Sequence, residues 1–308
     1  MNESAVIVPT LGAPTLGRCL AAIADLTPAP RRVVVVLSGR AADADLPVRV
    51  TTVRFQRRLG FAAAVNAGLA ALPQPWPDVA LLNDDAIPAT GWLGALGAAL
   101  ASDPGVAAVQ GTVVDASGER VDGRGIALDC FGLPVQVDRG RSAADEPGGP
   151  RPLLAVSGTA ALFRAGALSA VRLPGGEVFD PAFGSYHEDL DLGLRLLRLG
   201  HRAAWIPDAP AVHLGSATGA GLRWRHPWWL LANRWRALAG NLSAAAFAAA
   251  LPRLLRGEAR AVRTLCRSNP RALAVAAAVL FALPCLVAGA RARTSAGPRL
   301  AGLPRGTT

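Results

Sequence analysis

Lysine is absent from this sequence of 308 residues; all 32 basic residues are Arg. Together with abundant Ala this points to a GC-rich genome, so Ala-richness alone says little about structure. Cysteine is scarce and scattered. Cys19, Cys130, Cys266 and Cys285 form no CxxC pair, and none has a His at metal-ligand spacing. That set excludes a disulfide framework, argues against a zinc site and fits a reducing compartment. Acidic residues are almost missing from one end. Residues 221–308 hold 14 Arg and one acid, Glu258, a net charge of +13, whereas residues 1–220 hold 18 Arg and 21 acids, a net of −3. The chain opens directly into "SAVIVPT", with no basic segment and cleavage site, so no signal peptide is expected. Internal repeats are also lacking. What is present is apolar: 51% hydrophobic against 18% charged residues excludes a disordered chain and allows a sizeable core in one large domain or two modest ones.

Buried-strand patterns fall at "AVIVP" (5–9), "RRVVVVLSG" (31–39), "VTTVRF" (50–55), "DVALLN" (78–83) and "GVAAVQG" (105–111). Helical spacing falls between them, at 15–26, 60–72 and 91–102. Strands alternating with helices predict a mostly parallel α/β sheet, whose ligands bind beyond the carboxyl ends of the strands. Pro9-Thr10, Ser38-Gly39 and Asn83-Asp84-Asp85 all fall there. Residues 112–152 read as a hairpin and a loose loop, and 153–164 as a strand. Residues 187–200 read as an amphipathic helix with a Leu190, Leu194, Leu197 stripe, followed by short strands at 203–207 and 209–214. From about 223 the pattern is helical and basic to the end.

Two acidic groups sit about a hundred positions apart. Asp84-Asp85 ends a strand, where a simple turn is one reading and a charge-binding site the other. Glu188, Asp189 and Asp191 open a helix, where the macrodipole welcomes one carboxylate; three in four residues should repel unless a cation or basic partner is near. His213 ends an apolar strand, as a structural residue or as a ligand. Carboxylates with one imidazole suit Mn2+ or Mg2+ better than Zn2+, and a divalent ion with few protein ligands completes its shell with substrate phosphates.

The motifs "VIVPTLG", "GFAAAVNAGL", "ALLNDDAIP", "VSGTAALFR" and "FDPAFGSYHEDLDLGLRLLRLGHRAAWIPDAPAVHLG", in this order over about residues 4–216, carry a resemblance. The chain resembles the family-2 inverting glycosyltransferases of GT-A fold, rhamnosyltransferase-like branch. The resemblance implies a Rossmann-like, mostly parallel sheet flanked by helices in a catalytic domain (1–222), with nucleotide-sugar binding over about 1–111 and the acceptor side over 112–222, then a C-terminal α-helical region (223–308). It places Pro9, Thr10, Gly60, Phe61, Asn66 and Asp84 at the donor, and Gly158 and Thr159 near the acceptor. It makes Asp189 the catalytic base beside Glu188, and Asp85 and His213 the metal site. Glu188 and Asp191 would position the acceptor or tie down the Asp189 loop. Tyr186 is either core or acceptor contact, and His187 is a weaker acceptor contact. One departure stands out: the family's Asp after the second strand is replaced by Leu37, with Ser38 left to offer a hydrogen bond, so uridine and thymidine donors both stay open.

The implied function is metal-dependent inverting transfer from dTDP-rhamnose or a UDP-sugar to a hydroxyl of a cell-envelope glycan or glycolipid. The alternative is a catalytically degenerate nucleotide-sugar-binding or scaffold protein, supported by Leu37 alone. Nucleic acid is not expected as a partner, because the basic tail has no such motif and its apolar runs suit lipid. "RWRHPWWLLANRWRALAGNL" (223–242) mixes four Trp with four Arg, as an interfacial helix does, or as a helix packed through its Trp face does. Residues 272–290 are 19 uncharged positions, just enough to span a bilayer, which takes about 17–25, or to lie on it. The expected location is the cytoplasmic face of the cell membrane, peripheral or anchored by one C-terminal helix.

Overall fold

The computed structural model describes residues 4–39, 46, 49–145, 148–215, 225–267, 269, 271–293 and 297–304. In chain order the first elements are β1 (Ala5–Thr10), α1 (Leu16–Ala24), β2 (Arg32–Ser38), β3 (Thr51–Phe55), α2 (Phe61–Ala70), β4 (Val79–Leu82), β5 (Ala86–Pro88), α3 (Trp92–Ser102) and β6 (Val106–Gln110). There follow β7 (Val113–Val114), β8 (Val121–Gly123), β9 (Ile126–Leu128), β10 (Pro134–Gln136), β11 (Arg151–Leu153), β12 (Ala160–Phe163) and α4 (Ala165–Ala170). The last are α5 (Glu188–Arg198), β13 (Arg202–Trp205), β14 (Ala211–His213), α6 (Arg225–Asn241), α7 (Ala244–Cys266) and α8 (Ala272–Arg293).

The main sheet has eight strands in the order β11-β13-β6-β12-β4-β1-β2-β3. It is parallel except for β12, antiparallel to both neighbours, and β11 at the edge. Its central strands are apolar up to their last positions, Thr10 of β1 and Gln110 of β6, because both faces are covered. Ala5 and Ile7 of β1 and Val34 and Val36 of β2 join α2 and α5 in one core, while Val6, Val8, Val35 and Leu37 join α1 and α3 in another. Leu37 is therefore a core residue with no exposed surface. A second sheet, β5-β14-β7-β8, crosses the end of the first.

Three sequence expectations change. Residues 153–164 are not one strand, because β11 stops at Leu153 and a turn at Gly158-Thr159 precedes β12. Residues 112–152 form two antiparallel pairings, β7-β8 and β9-β10, rather than one hairpin; Glu146 and Pro147 lie outside the described residues. α5 is not a helix with one wet face. Leu190 and Leu194 are buried, but Leu197 is only half-buried, while Glu188, Asp191, Arg195 and Arg198 are buried too. The physical reason is a cover the local pattern cannot see: Asn241 of α6 meets Asp191 (2.9 Å) and Arg198 (3.2 Å), and the segment after α4 meets Arg195. Arg195 is satisfied by Asp191 (2.8 Å) and by the carbonyls of Val171 (2.6 Å) and Val178 (2.7 Å).

The tail is helical only as far as Arg293; residues 297–304 are not helical, and Leu300 bridges to Leu242. α6 is a packed helix. Leu231, Trp235 and Leu238 enter a third core with Phe183, Leu190 and Leu194 and with α7 and α8. Arg223 and Trp224 lie outside the described residues. The tail's one acid, Glu258, is 3% exposed and takes hydrogen bonds from Arg234 and from Trp235 Nε1 (2.9 Å). Burial and this pairing act in opposite directions on each partner, the usual condition of a buried ion pair.

Candidate active site

β1 and β4 end side by side, and their last side chains meet. The Thr10 hydroxyl donates to Asp84 Oδ2 and accepts the Gly12 amide at 2.9 Å. Asp84 is 9% exposed; burial pushes its carboxyl up, with Thr10 pulling back and Asp85 adding to the rise. Asn83-Asp84-Asp85 is a true turn, with the Ala86 amide donating to the Asn83 carbonyl at 3.0 Å. The turn delivers β5, which pairs antiparallel with β14 so that Ala86 faces His213. The Leu214 amide then donates to the Asp85 carbonyl at 2.9 Å. That pairing sets His213 beside Asp85, with Nε2 and Oδ1 3.3 Å apart.

Asp85 is 1% exposed, and neither of its carboxylate oxygens has a hydrogen-bond partner; His213 Nε2 also lacks one. The other ring nitrogen, Nδ1, is 2.8 Å from Asp122 Oδ2 on β8. His213 holds Asp122 below the usual carboxylate range, with burial opposing. Burial disfavours a charged His213, but Asp122 and Asp85 outweigh it and push its pKa up to about 9. Three buried polar atoms converge without partners, on a carboxylate and an imidazole oriented from behind by a second carboxylate. This donor set fits a divalent cation. Among the described residues no group of three or more His, Cys, Asp or Glu could hold a metal ion, so Asp85 and His213 would hold one only together with substrate oxygens. Sequence reasoning missed Asp122. No local pattern marks it, because β7 and β8 bring it to His213 across 91 positions.

A second cluster surrounds the acids of α5. Asp189 Oδ2 accepts the Gly158 amide at 3.3 Å, and Oδ1 accepts its own helix's Leu190 amide at 2.8 Å. Burial pushes Asp189 up, those amides pulling it back. Glu188 is driven well above the usual range by burial first and then by the charge of Asp189, and its Oε2 has no partner. Burial thus works against the ionised form of both carboxyls. The two clusters are joined where the Asn83 amide donates to the Thr159 carbonyl at 2.9 Å.

Other expected residues have tasks within the fold. Asn66 is a clamp: its amide nitrogen donates to the Phe179 carbonyl (2.7 Å), and its oxygen accepts the amides of Val178 (3.2 Å) and Phe179 (3.0 Å). Both ends of the side chain are used inside the protein. Asp191 is spent on Arg195 and Asn241 (2.9 Å), which favours tying down the helix over contacting an acceptor. Ser38 is 2% exposed and accepts the Leu59 amide at 3.3 Å, and Pro9 pairs with Val36 inside the sheet. The first amides of α2 face the loop before α5: Phe61 donates to Ser185 Oγ (3.1 Å) and Ala62 to the Gly184 carbonyl (3.2 Å). A Cβ on Gly60 would lie 2.4 Å from that carbonyl, so only Gly fits there. The Phe61 ring in turn lies against Gly158. His187 is bound to the backbone of Leu230, and burial and Arg234 pull its pKa down to about 4. Tyr186 meets His226 edge-to-face at 5.1 Å.

The fold and sequence have known counterparts. GalNAc-T7, solved with UDP, GalNAc and Mn2+, superposes with a TM-score of 0.56 at 15% identity, over 79% of this chain and 48% of that one. This chain thus spans about half the length of that relative. The mannosyltransferase PcManGT from Pyrobaculum calidifontis, solved with GDP-Man and Mn2+, gives a TM-score of 0.50 at 22% identity, over 92% of this chain and 75% of that one. No curated protein sequence matches. The family model described as "Glycosyltransferase like family 2" matches residues 2–236, most of the chain and well into α6, and with the GT-A-like sheet beneath these two clusters it shows that the chain belongs to that family.

Proposed function

We propose that this protein is a metal-dependent inverting glycosyltransferase. It moves a sugar from a nucleotide-diphosphate donor, dTDP-rhamnose or a UDP-sugar, to a hydroxyl of a cell-envelope glycan or glycolipid. The observation that carries the reading is the convergence of unpartnered, buried Asp85 oxygens and His213 Nε2 at the strand ends. The Mn2+ complexes of the two structural relatives support it. When bound there, Mn2+ or Mg2+ supplies positive charge to the leaving diphosphate. Thr10 and Asp84 face the donor beside it. Across the site Asp189 accepts the proton of the attacking hydroxyl, a contribution worth ~10²–10⁴-fold. The amides of Gly158 and Leu190 fix both of its oxygens. One displacement with base and leaving group on opposite faces inverts the anomeric centre. Incubation with Mn2+ and a panel of nucleotide sugars should release nucleoside diphosphate from one of them in the presence of acceptor extract. Tight donor binding without release or transfer from any member would hand the site to a binding-only role.

The tail fits a place on an anionic lipid surface. α8 has a mean hydropathy of 2.4 over its most apolar stretch, of which 22% is buried. Ala272, Ala276, Val279, Leu286 and Ala290 dock on the body, while Leu273, Leu280 and Phe281 are 65%, 43% and 91% exposed. Arg253, Arg256, Arg263 and Arg267 on or just after α7 are exposed, matching the phosphates of such a surface. Because one stripe of α8 is held by α6, we favour a helix lying in one leaflet over one that crosses. The protein should float with vesicles containing phosphatidylglycerol, and Phe281→Asp should reduce flotation several-fold. Carbonate should release it from membranes, and a carbonate-resistant protein would mean a spanning helix.

A further inference from the structure

We propose that Asn233, on the tail helix α6, is a positioning residue for Asp189; this rests on reading Asp189 as the base. Tyr186 and His187, the two residues before the Glu188-Asp189 pair, both have left-handed backbones, with φ of 72° and 67°. Side chains other than Gly and Asn rarely adopt that conformation, and it persists only where the surroundings enforce it. The enforcing group is one amide. Asn233 Nδ2 faces three carbonyls of this loop, Phe183 at 2.7 Å, Ser185 at 3.0 Å and Tyr186 at 2.8 Å. Its two hydrogens are shared among them. Asn233 has no exposed surface, and its Oδ1 accepts from Arg236 Nη1 at 2.6 Å, which fixes which end of the amide points at the loop.

The loop is also pressed from above. A Cβ on Gly184, itself at φ 65°, would stand 2.9 Å from the Trp229 ring of α6. The left-handed pair sets the direction in which α5 departs and hence where the Asp189 carboxylate arrives. Its bond to the Gly158 amide, at 3.3 Å, has little length to spare. Among the described residues, none of the hydrogen bonds and ion pairs that hold Thr10, Asp84, Asp85 and His213 comes from α6. Asn233 should therefore govern the base and not the donor.

The test is Asn233→Asp, which keeps the size and the acceptor for Arg236 but loses the donor hydrogens. Beside it stands Gly184→Ala, which disturbs the same loop by setting a methyl against Trp229 while leaving Asn233 itself in place. Misplacing a reacting group by about 1 Å costs on the order of 10²-fold. In the metal-loaded protein with its donor, kcat should fall about 10- to 100-fold in both variants, with donor KM and nucleoside-diphosphate affinity within about twofold of the parent. A folded Asn233→Asp with parental kcat, or a loss carried equally by donor KM, overturns the proposal. Should Asn233→Asp fail to fold, Gly184→Ala decides by the same criterion. Asp189→Asn runs alongside. Parental turnover in that variant would defeat the assignment of the base itself, whereas an inactive Asp189→Asn beside an unaffected Asn233→Asp would defeat only the positioning role.

Discussion

Asp85→Ala is expected to abolish divalent-stimulated transfer, a loss of about 10³-fold or more, while the protein stays folded. A buried Asp is ordinarily costly to remove because its hydrogen bonds are lost with it. Here neither oxygen makes one, and the nearby His213 is still held by Asp122 after the change. Metal-free stability should therefore move little. The difference should appear on loading: Mn2+ with nucleoside diphosphate should raise the melting temperature of the parent, since ligands that bind only the folded state stabilise it by mass action, and should leave Asp85→Ala where it was. Undiminished transfer in the variant, or in the parent with excess chelator, would remove the metal from the mechanism.

The second large effect is that of Asp189→Asn, about 10²–10⁴-fold on kcat with donor binding intact. Asn keeps an oxygen to accept an amide but cannot take a proton. The pH profile of the parent carries a further sign. A base must be deprotonated, so kcat rises with pH through its apparent pKa, and burial places that limb above the ordinary carboxylate range. Because Glu188 and Asp189 titrate together, the limb belongs to the pair. In Glu188→Gln the neighbouring negative charge is gone, so the limb should move to lower pH. A limb unmoved by Glu188→Gln and still present in Asp189→Asn would place the base elsewhere.

Much of this was legible in the residues. The alternation of Ala5, Val6, Ile7 and Val8 between two cores, and the arrival of Thr10 and Asp85 at strand ends, follow from local pattern and parallel topology. His213 and Asp85 were readable as partners only through a family resemblance, since a β5-β14 ladder brings them together. What local reading could not reach was the set of side chains whose meaning depends on a distant cover. Arg195 and Asp191 look like a solvated helix face until Val171 and Val178 are placed on the one and Asn241 of α6 on the other. Nothing local in Asn66 shows that Val178 and Phe179 meet both its ends. Asn233 sits in a Trp- and Arg-rich run that suggests lipid, and its work is done on carbonyls about fifty positions earlier.

The third core has a consequence for how such chains exchange parts. Phe183, Leu190 and Leu194, before residue 222, pack with Leu231, Trp235 and Leu238 after it. A recombination joint at residue 222 would leave each fragment with half of that interior, and the left-handed turn at Tyr186-His187 without its clamp. The tail is therefore not a portable module that relatives could trade to change where they act. A joint beyond Asn241, between α6 and α7, leaves the clamp intact but parts buried Arg234 from Glu258 and α6 from α8, so all three helices travel with the chemistry.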